Sequence, residues 1–260
     1  VSRLVAPLAE WLGAWFGSRD ASPVNAQAPC VRGVDVSGWQ DPINWRAAYT
    51  SGVRFNFVKA SEGLGHVSPG WKRHARPSAD AGMRLGAYHF ARLAKWRTEA
   101  DARSAGIAQA SACLEVCAAP GQPSLLTAPV LDLEWECEKA GNRPSPTLLA
   151  CFVDAWRAEV EVATGLAAPL YLAPSYYRWR WEKSGLGANL LQRMPLWIPK
   201  YQAKPWPDPA KAPALGDVKA TLWQTTGKGS LPGANGNPVR VDCNLFLGTD
   251  AELAALGRAA

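Results

Sequence analysis

From Val31 onward the chain alternates short apolar runs with stretches of helical periodicity, and that order leaves few folds open. Runs rich in branched and aromatic residues read as strands at residues 31–36, 54–59, 84–89, 129–134, 169–172, 195–199, 220–224 and 239–246. Helical patterns are expected near residues 45–51, 69–81, 97–112, 146–164 and 175–183, with Ser145 as an N-cap and Pro146 at the first helical position. A strand followed by a helix returns to lie parallel beside itself, so this order builds a parallel sheet. Eight strands with fewer than eight helices predict an α/β fold closed as a barrel, its last strands joined by plain loops such as the Pro- and Gly-rich run 204–216.

At 260 residues the chain suits one large domain with a substantial core. A domain boundary is expected only near the start. Residues 1–29 read as an amphipathic helix and linker, because Leu4, Val5, Leu8, Trp11, Leu12, Trp15 and Phe16 make one apolar stripe and Ser18 opens a polar connector. The stripe is expected to dock on the barrel, with a membrane surface or a partner protein as the alternatives. Its polar positions carry almost no Lys or Arg, so the electrostatic part of a membrane case is missing. The barrel takes residues 30–260, and because the sequence starts at Val1, a leader or upstream domain is expected to have been removed.

The net charge of +6 favours anionic partners, yet the basic residues are scattered among acids rather than gathered in a block. This argues against a nucleic-acid footprint and for an anionic surface such as a cell wall. Six cysteines (30, 113, 117, 137, 151 and 243) predict three disulfides and an oxidising compartment. A zinc site is the weaker account, since no Cys-x-x-Cys pair exists and His66, His74 and His89 lack finger spacing. No metal and no cofactor is expected.

Chemistry concentrates in Leu131-Asp132-Leu133-Glu134. Side chains alternate along an extended backbone, so Asp132 and Glu134 share a face. Two crowded acids push their pKa values apart, giving a proton donor and an anion, the equipment for glycoside chemistry. Glu136 and Glu138, past the strand's end, read as solvated. In a β/α barrel the reactive groups gather at the C-terminal strand ends. Those ends carry Asp35-Val36-Ser37-Gly38-Trp39-Gln40, Lys59-Ala60-Ser61-Glu62-Gly63, Tyr88-His89, Trp197 to Tyr201, Trp223-Gln224 and Asp242-Cys243-Asn244.

In their order, these segments resemble the family 25 glycoside hydrolases, lysozymes of the Chalaropsis and phage endolysin type. The resemblance spans about residues 31–246. It rests on Gly33-Val34-Asp35-Val36-Ser37, Lys59-Ala60-Ser61-Glu62-Gly63, Gly86-Ala87-Tyr88-His89-Phe90, Leu131-Asp132-Leu133-Glu134, Leu196-Trp197-Ile198, Trp223-Gln224 and Val241-Asp242-Cys243-Asn244. It implies a flattened β/α barrel with fewer helices than a TIM barrel, cutting the β-1,4 bond between N-acetylmuramic acid and N-acetylglucosamine in peptidoglycan without a metal. It further implies retention of configuration. Glu134 would be the acid and later the base, Asp132 would steer the substrate's own N-acetyl group, and Asp35 and Asp242 would complete the site. A secreted, periplasmic or cell-wall-associated monomer is expected, possible as a phage lysin, with peptidoglycan strands as its partner. A barrel that binds glycan or protein without cleaving is the alternative.

The chain departs from the family pattern at Ser68-Pro69-Gly70-Trp71, where an Asp is often found, at Cys243 in place of Leu, and at an expected insertion holding Cys113 and Cys117. Trp39, Tyr88, Trp135, Tyr171, Tyr201, Trp223 and Gln224 are candidate sugar contacts, as flat apolar faces with polar handles suit pyranose rings. Lys59 and Glu62 are expected beside the site, chiefly as supports. His89 faces away from Tyr88 and reads as structural. Trp179 and Trp181, flanking Arg180, read either as an exposed ridge or as one side of a packed helix.

Overall fold

The structure is a computed structural model that describes residues 29–138, 142–185 and 187–258. The apolar stripe before Ser18, and with it the division at residue 29, lies outside the described residues.

Eight strands close a barrel: β1 (Val31–Val36), β2 (Phe55–Glu62), β3 (Arg84–Phe90), β4 (Val130–Leu133), β5 (Leu170–Leu172), β6 (Leu196–Pro199), β7 (Leu222–Pro232) and β8 (Pro238–Phe246). Each strand lies beside its neighbours in the chain, and β1 pairs with both β2 and β8 to complete the circle. Pairing is parallel from β1 through β7, while β8 runs antiparallel to β7 and β1. The reversal explains why β7 is longer than expected. Its second half joins the first half of β8 in a hairpin that rises past the barrel mouth and bridges Gly233 to Ile43.

The crossovers are α1 (Trp45–Thr50), α2 (Pro69–Asp80), α3 (Glu99–Ala118), α4 (Pro146–Thr164), and α5 (Pro174–Arg180) followed by α6 (Gly187–Leu191). Their ends follow local chemistry. Ser145 accepts the Leu148 N–H ahead of Pro146, and Gly165 closes α4 at φ 67°, a left-handed conformation that costs glycine nothing. In α3, Thr98 and Asp101 cap each other reciprocally. Cys113 and Cys117 sit one turn apart near the end of this regular helix.

Alternation along the strands divides the core. Outward residues of β4–β6 pack against α3–α6, and those of β1–β3 and β8 pack against α1 and α2. Inside the barrel lie Val31, Phe55, Phe57, Tyr88, Val130, Tyr171, Trp197, Leu222 and Phe246, closed from below by Leu253 and Leu256, the former on α7 (Asp250–Ala254). Two glycines make room for the rings: a Cβ on Gly33 or Gly86 would meet the Phe55 or Phe57 ring at 2.2 Å.

The disulfide expectation is overturned: all six cysteines are unpaired, and five are buried. Four of them stand on or beside different elements, and two share one helix. Cys30 precedes β1, Cys151 is on α4, Cys137 follows β4 and Cys243 is on β8, while Cys113 and Cys117 stand one turn apart on α3. They fill the interior as small apolar residues, a common use of unpaired cysteine.

Candidate active site

The inward residues change character with height: aromatic rings fill the lower barrel, and carboxyls stand above them. Asp35 lies directly opposite Asp242 across the β1–β8 ladder. Asp132 is on β4, and Glu134, just past the strand, keeps an extended backbone (φ −145°, ψ −178°), so both point to one side as the spacing predicts. These four acids line a pocket of about 230 Å³ with Tyr88, Tyr171, Trp197, Tyr201 and Gln224. Its size suits a single sugar-sized group, since drug-sized ligands occupy roughly 300–1,000 Å³.

A hydrogen-bond chain orders the floor. The Tyr171 and Tyr201 hydroxyls donate to Gln224 Oε1 (2.9 and 3.2 Å), and Gln224 Nε2 donates to Asp35 Oδ2 (3.0 Å). Asn244 Nδ2 reaches the same oxygen at 2.8 Å, and Trp197 Nε1 donates to Asn244 Oδ1 at 2.8 Å. Trp197 and Asn244 belong to the sequence motifs but are not among the expected catalytic or sugar-contacting residues. Asn244 was legible as the residue two past Asp242, on the same strand face.

All four acids hold their protons more tightly than free carboxyls. Burial does most of this, pushing Asp35 and Asp132 well up, with Asp242 adding to the effect on Asp35 and Glu134 to that on Asp132. Burial, followed by the charge of Glu136, lifts Glu134 to about 7. Burial also lifts Asp242 to about 6, against the pull of Arg240. The Lys59 ammonium opposes the rise at both Asp132 and Glu134. Among the described residues no donor reaches the buried Asp132 Oδ1, an acceptor held open at the centre of the site.

The backbone of the acid pair is pinned by Cys137. Its thiol accepts from the Glu134 N–H (3.3 Å) and donates to the Asp132 carbonyl (3.4 Å), joining the two residues through one sulfur.

Other expected contacts divide. Tyr88 and Tyr171 are in the pocket wall, and Tyr201 stands half-exposed at its lip. Trp39 is almost wholly exposed on the rim between two shallow hollows, one with Lys59 and Glu62, the other with Arg240 and Asp242. Trp223 is fully buried and corrects the expectation: the alternation that turns Gln224 inward turns Trp223 outward, where its Nε1 donates to the Lys200 carbonyl (2.9 Å). Glu62 is clamped by Lys59 Nζ (2.6 Å) and Arg92 Nε (2.6 Å), a support for the rim. His89 is fully buried between the Ser61 hydroxyl (2.8 Å) and Gln109 Oε1 (3.0 Å). Gln109 Oε1 can only accept, so the His89 proton sits on Nε2.

Glu136 is exposed as expected, but Glu138 is not solvated. Its side chain, 6% exposed, accepts from the Tyr176 hydroxyl at 2.7 Å and from Arg143 Nε at 3.2 Å, and its charge faces Arg180 Nε at 3.1 Å in an ion pair. The chain's turn after β4 brings Glu138 under α5, a contact no local pattern reveals.

A barrel mouth with two acids on the fourth strand, one acid on the first and one on the last can be compared with known proteins. The profile of Glycosyl hydrolases family 25 matches residues 34–234. The chain belongs to this family. It is 27% identical to "Lysozyme M1" of Streptomyces globisporus over 94% of this chain and 76% of that protein. It is 25% identical to the "N,O-diacetylmuramidase" of Chalaropsis sp, over 79% of this chain and 92% of that protein. Among solved structures, the family 25 glycosyl hydrolase of Bacillus anthracis superposes with a TM-score of 0.68 at 26% identity, covering 87% of this chain and 93% of that one. The family 25 barrel of this chain is therefore that of a glycoside hydrolase. Among its described residues no helix is long and apolar enough to cross a membrane.

Proposed function

We propose that the protein is an N-acetylmuramidase that hydrolyses the β-1,4 bond between N-acetylmuramic acid and N-acetylglucosamine in peptidoglycan, with retention, and that it acts at the cell wall. The observation that carries this reading is the pairing of Glu134, whose carboxyl titrates near neutrality, with Asp132, whose Oδ1 lacks a donor.

An acetamido N–H entering the pocket supplies the donor Asp132 lacks. That hydrogen bond favours the Asp132 anion and turns the acetamido oxygen toward the anomeric carbon. The oxygen attacks, the glycosidic bond breaks, and Glu134 delivers its proton to the departing oxygen. The Glu134 carboxylate then takes a proton from water, which opens the cyclic intermediate on the same face. Asp35, held by Gln224 and Asn244, and Asp242 surround the positive charge that develops at the sugar ring. Substrate-assisted hydrolysis of this kind needs no second carboxyl at nucleophile distance.

The test is digestion of purified peptidoglycan, followed by turbidity, new reducing ends and mass analysis of the products. Reducing-end N-acetylmuramic acid is the expected product. Binding of the glycan with no new reducing ends would instead establish a barrel that recognises cell wall without cutting it.

A further inference from the structure

Beside the catalytic pocket stands a second surface that the proposed chemistry does not use. Trp135, the residue after Glu134, and Trp179, on α5, stack with ring centroids 4.4 Å apart and planes 26° from parallel. Both are about two-fifths exposed, and Tyr176 meets both rings edge-on from the buried side. Arg143 and Arg180 lie over the Trp179 ring at 4.4 and 4.9 Å. Beneath them Glu138 ties Tyr176, Arg180 and Arg143 together, and Arg180 also donates to the Pro144 carbonyl.

Two large aromatic side chains left this exposed, one stacked on the other, are costly to keep in water unless something covers them. They are also rigidly supported. A buried ion-pair cluster and three mutually packed rings hold the shelf before any ligand arrives, so little ordering cost remains for binding.

The shelf's position names its occupant. Trp135 is joined to Glu134, so the shelf continues the pocket at the ends of β4 and β5. Around the barrel, β1 lies three strands from β4 and four from β5, on the far side of the mouth, and there Trp39 is exposed. A chain of sugars crossing the four acids thus meets an aromatic surface on each side.

We infer that the exposed surface of Trp135, backed by the Trp179 ring that Arg143 and Arg180 hold from behind, forms a pyranose-stacking subsite for a sugar of the same β-1,4-linked N-acetylhexosamine strand, beyond the units flanking the cleaved bond. This inference rests on the proposed muramidase function and adds a preference for longer strands. Binding energy gained at the shelf, remote from the reacting atoms, draws the strand across the pocket.

The experiment uses the full chain carrying Glu134→Gln, so that binding is read without cleavage. The probes are peptide-free glycan strands of peptidoglycan, six sugars against two, measured by calorimetry. Trp179→Ala, which removes the ring that holds Trp135 in place, is expected to weaken the hexasaccharide about tenfold, the loss typical of a packed aromatic anchor, and to leave the disaccharide unchanged. Trp179→Phe, which keeps a flat ring, should recover most of the loss. Equal affinity of parent and Trp179→Ala for the hexasaccharide overturns the subsite, as does an equal loss for both lengths. If the unsubstituted enzyme cuts the hexasaccharide while Trp179→Ala changes nothing, the subsite alone fails. If it cuts neither glycan nor binds one, the muramidase reading fails and takes the subsite with it.

Discussion

Replacing Glu134 by Gln removes the proposed acid and, by the same physics, should stabilise the fold at alkaline pH. In the folded protein burial and Glu136 raise the Glu134 carboxyl from 4.5 to about 7. A carboxyl raised in this way binds more protons folded than unfolded between those two values. Its contribution to stability is therefore full below pH 4.5, falls as the pH climbs through 7, and is lowest above that. The gap, at about 1.4 kcal/mol per unit, corresponds to about 3 kcal/mol at pH 9. Gln keeps the size of Glu without the charge, so the cost disappears. For a domain of this size about 3 kcal/mol moves the melting temperature by about 5–10 °C. Melting curves of both proteins by circular dichroism across pH 4 to 9 read this directly. The two curves should coincide below about pH 4.5, separate as the pH climbs from there through about 7, and keep a constant gap above that, with the inactive variant the more stable. A constant offset across the whole of pH 4 to 9, or a less stable variant at pH 9, would refute the claim that burial holds this carboxyl protonated.

The same shift governs activity: kcat/KM should fall as the pH rises through about 7, because the acid form of Glu134 is lost, and a plateau reaching pH 9 would remove Glu134 from the acid's role. Cys137→Ala deletes the sulfur joining Asp132 to Glu134 and should cost about 1–2 kcal/mol of stability in urea unfolding. It should also lower kcat more than it raises KM; Cys137→Ser should restore much of kcat, and equal rates in all three proteins would make the thiol bridge irrelevant. Titration of the denatured protein should find six thiols, with no mass change on reduction, and any disulfide would contradict the arrangement of the cysteines described above.

Much of the site was legible before the fold because a strand has a period of two. Asp132 and Glu134 share a face by spacing alone, as do Asp242 and Asn244, and the order of strand and helix patterns requires a parallel barrel that gathers strand ends. The same period, applied at Trp223-Gln224, would have shown that only one of the two can face the pocket. Boundaries were least legible where tertiary contacts extend an element. The second half of β7 is a strand because β8 folds back on it, and nothing in Lys228 or Ser230 announces that partner.

What the sequence by itself determined is the barrel, the family and the identity of the four acids, since these depend on local periodicity and on residue types at set spacings. Only the tertiary structure decided what those acids are chemically. Their raised pKa values come from burial and from one another's charge, and the open Asp132 oxygen from the absence of any donor at that depth. The same holds for Glu138, which spacing reads as solvated and α5 buries against Arg180, and for the six cysteines, whose even number predicts bridges and which the structure holds as free thiols. Pairing, burial and charge coupling are properties of distances between residues far apart in the chain, and those distances exist only once the barrel has closed.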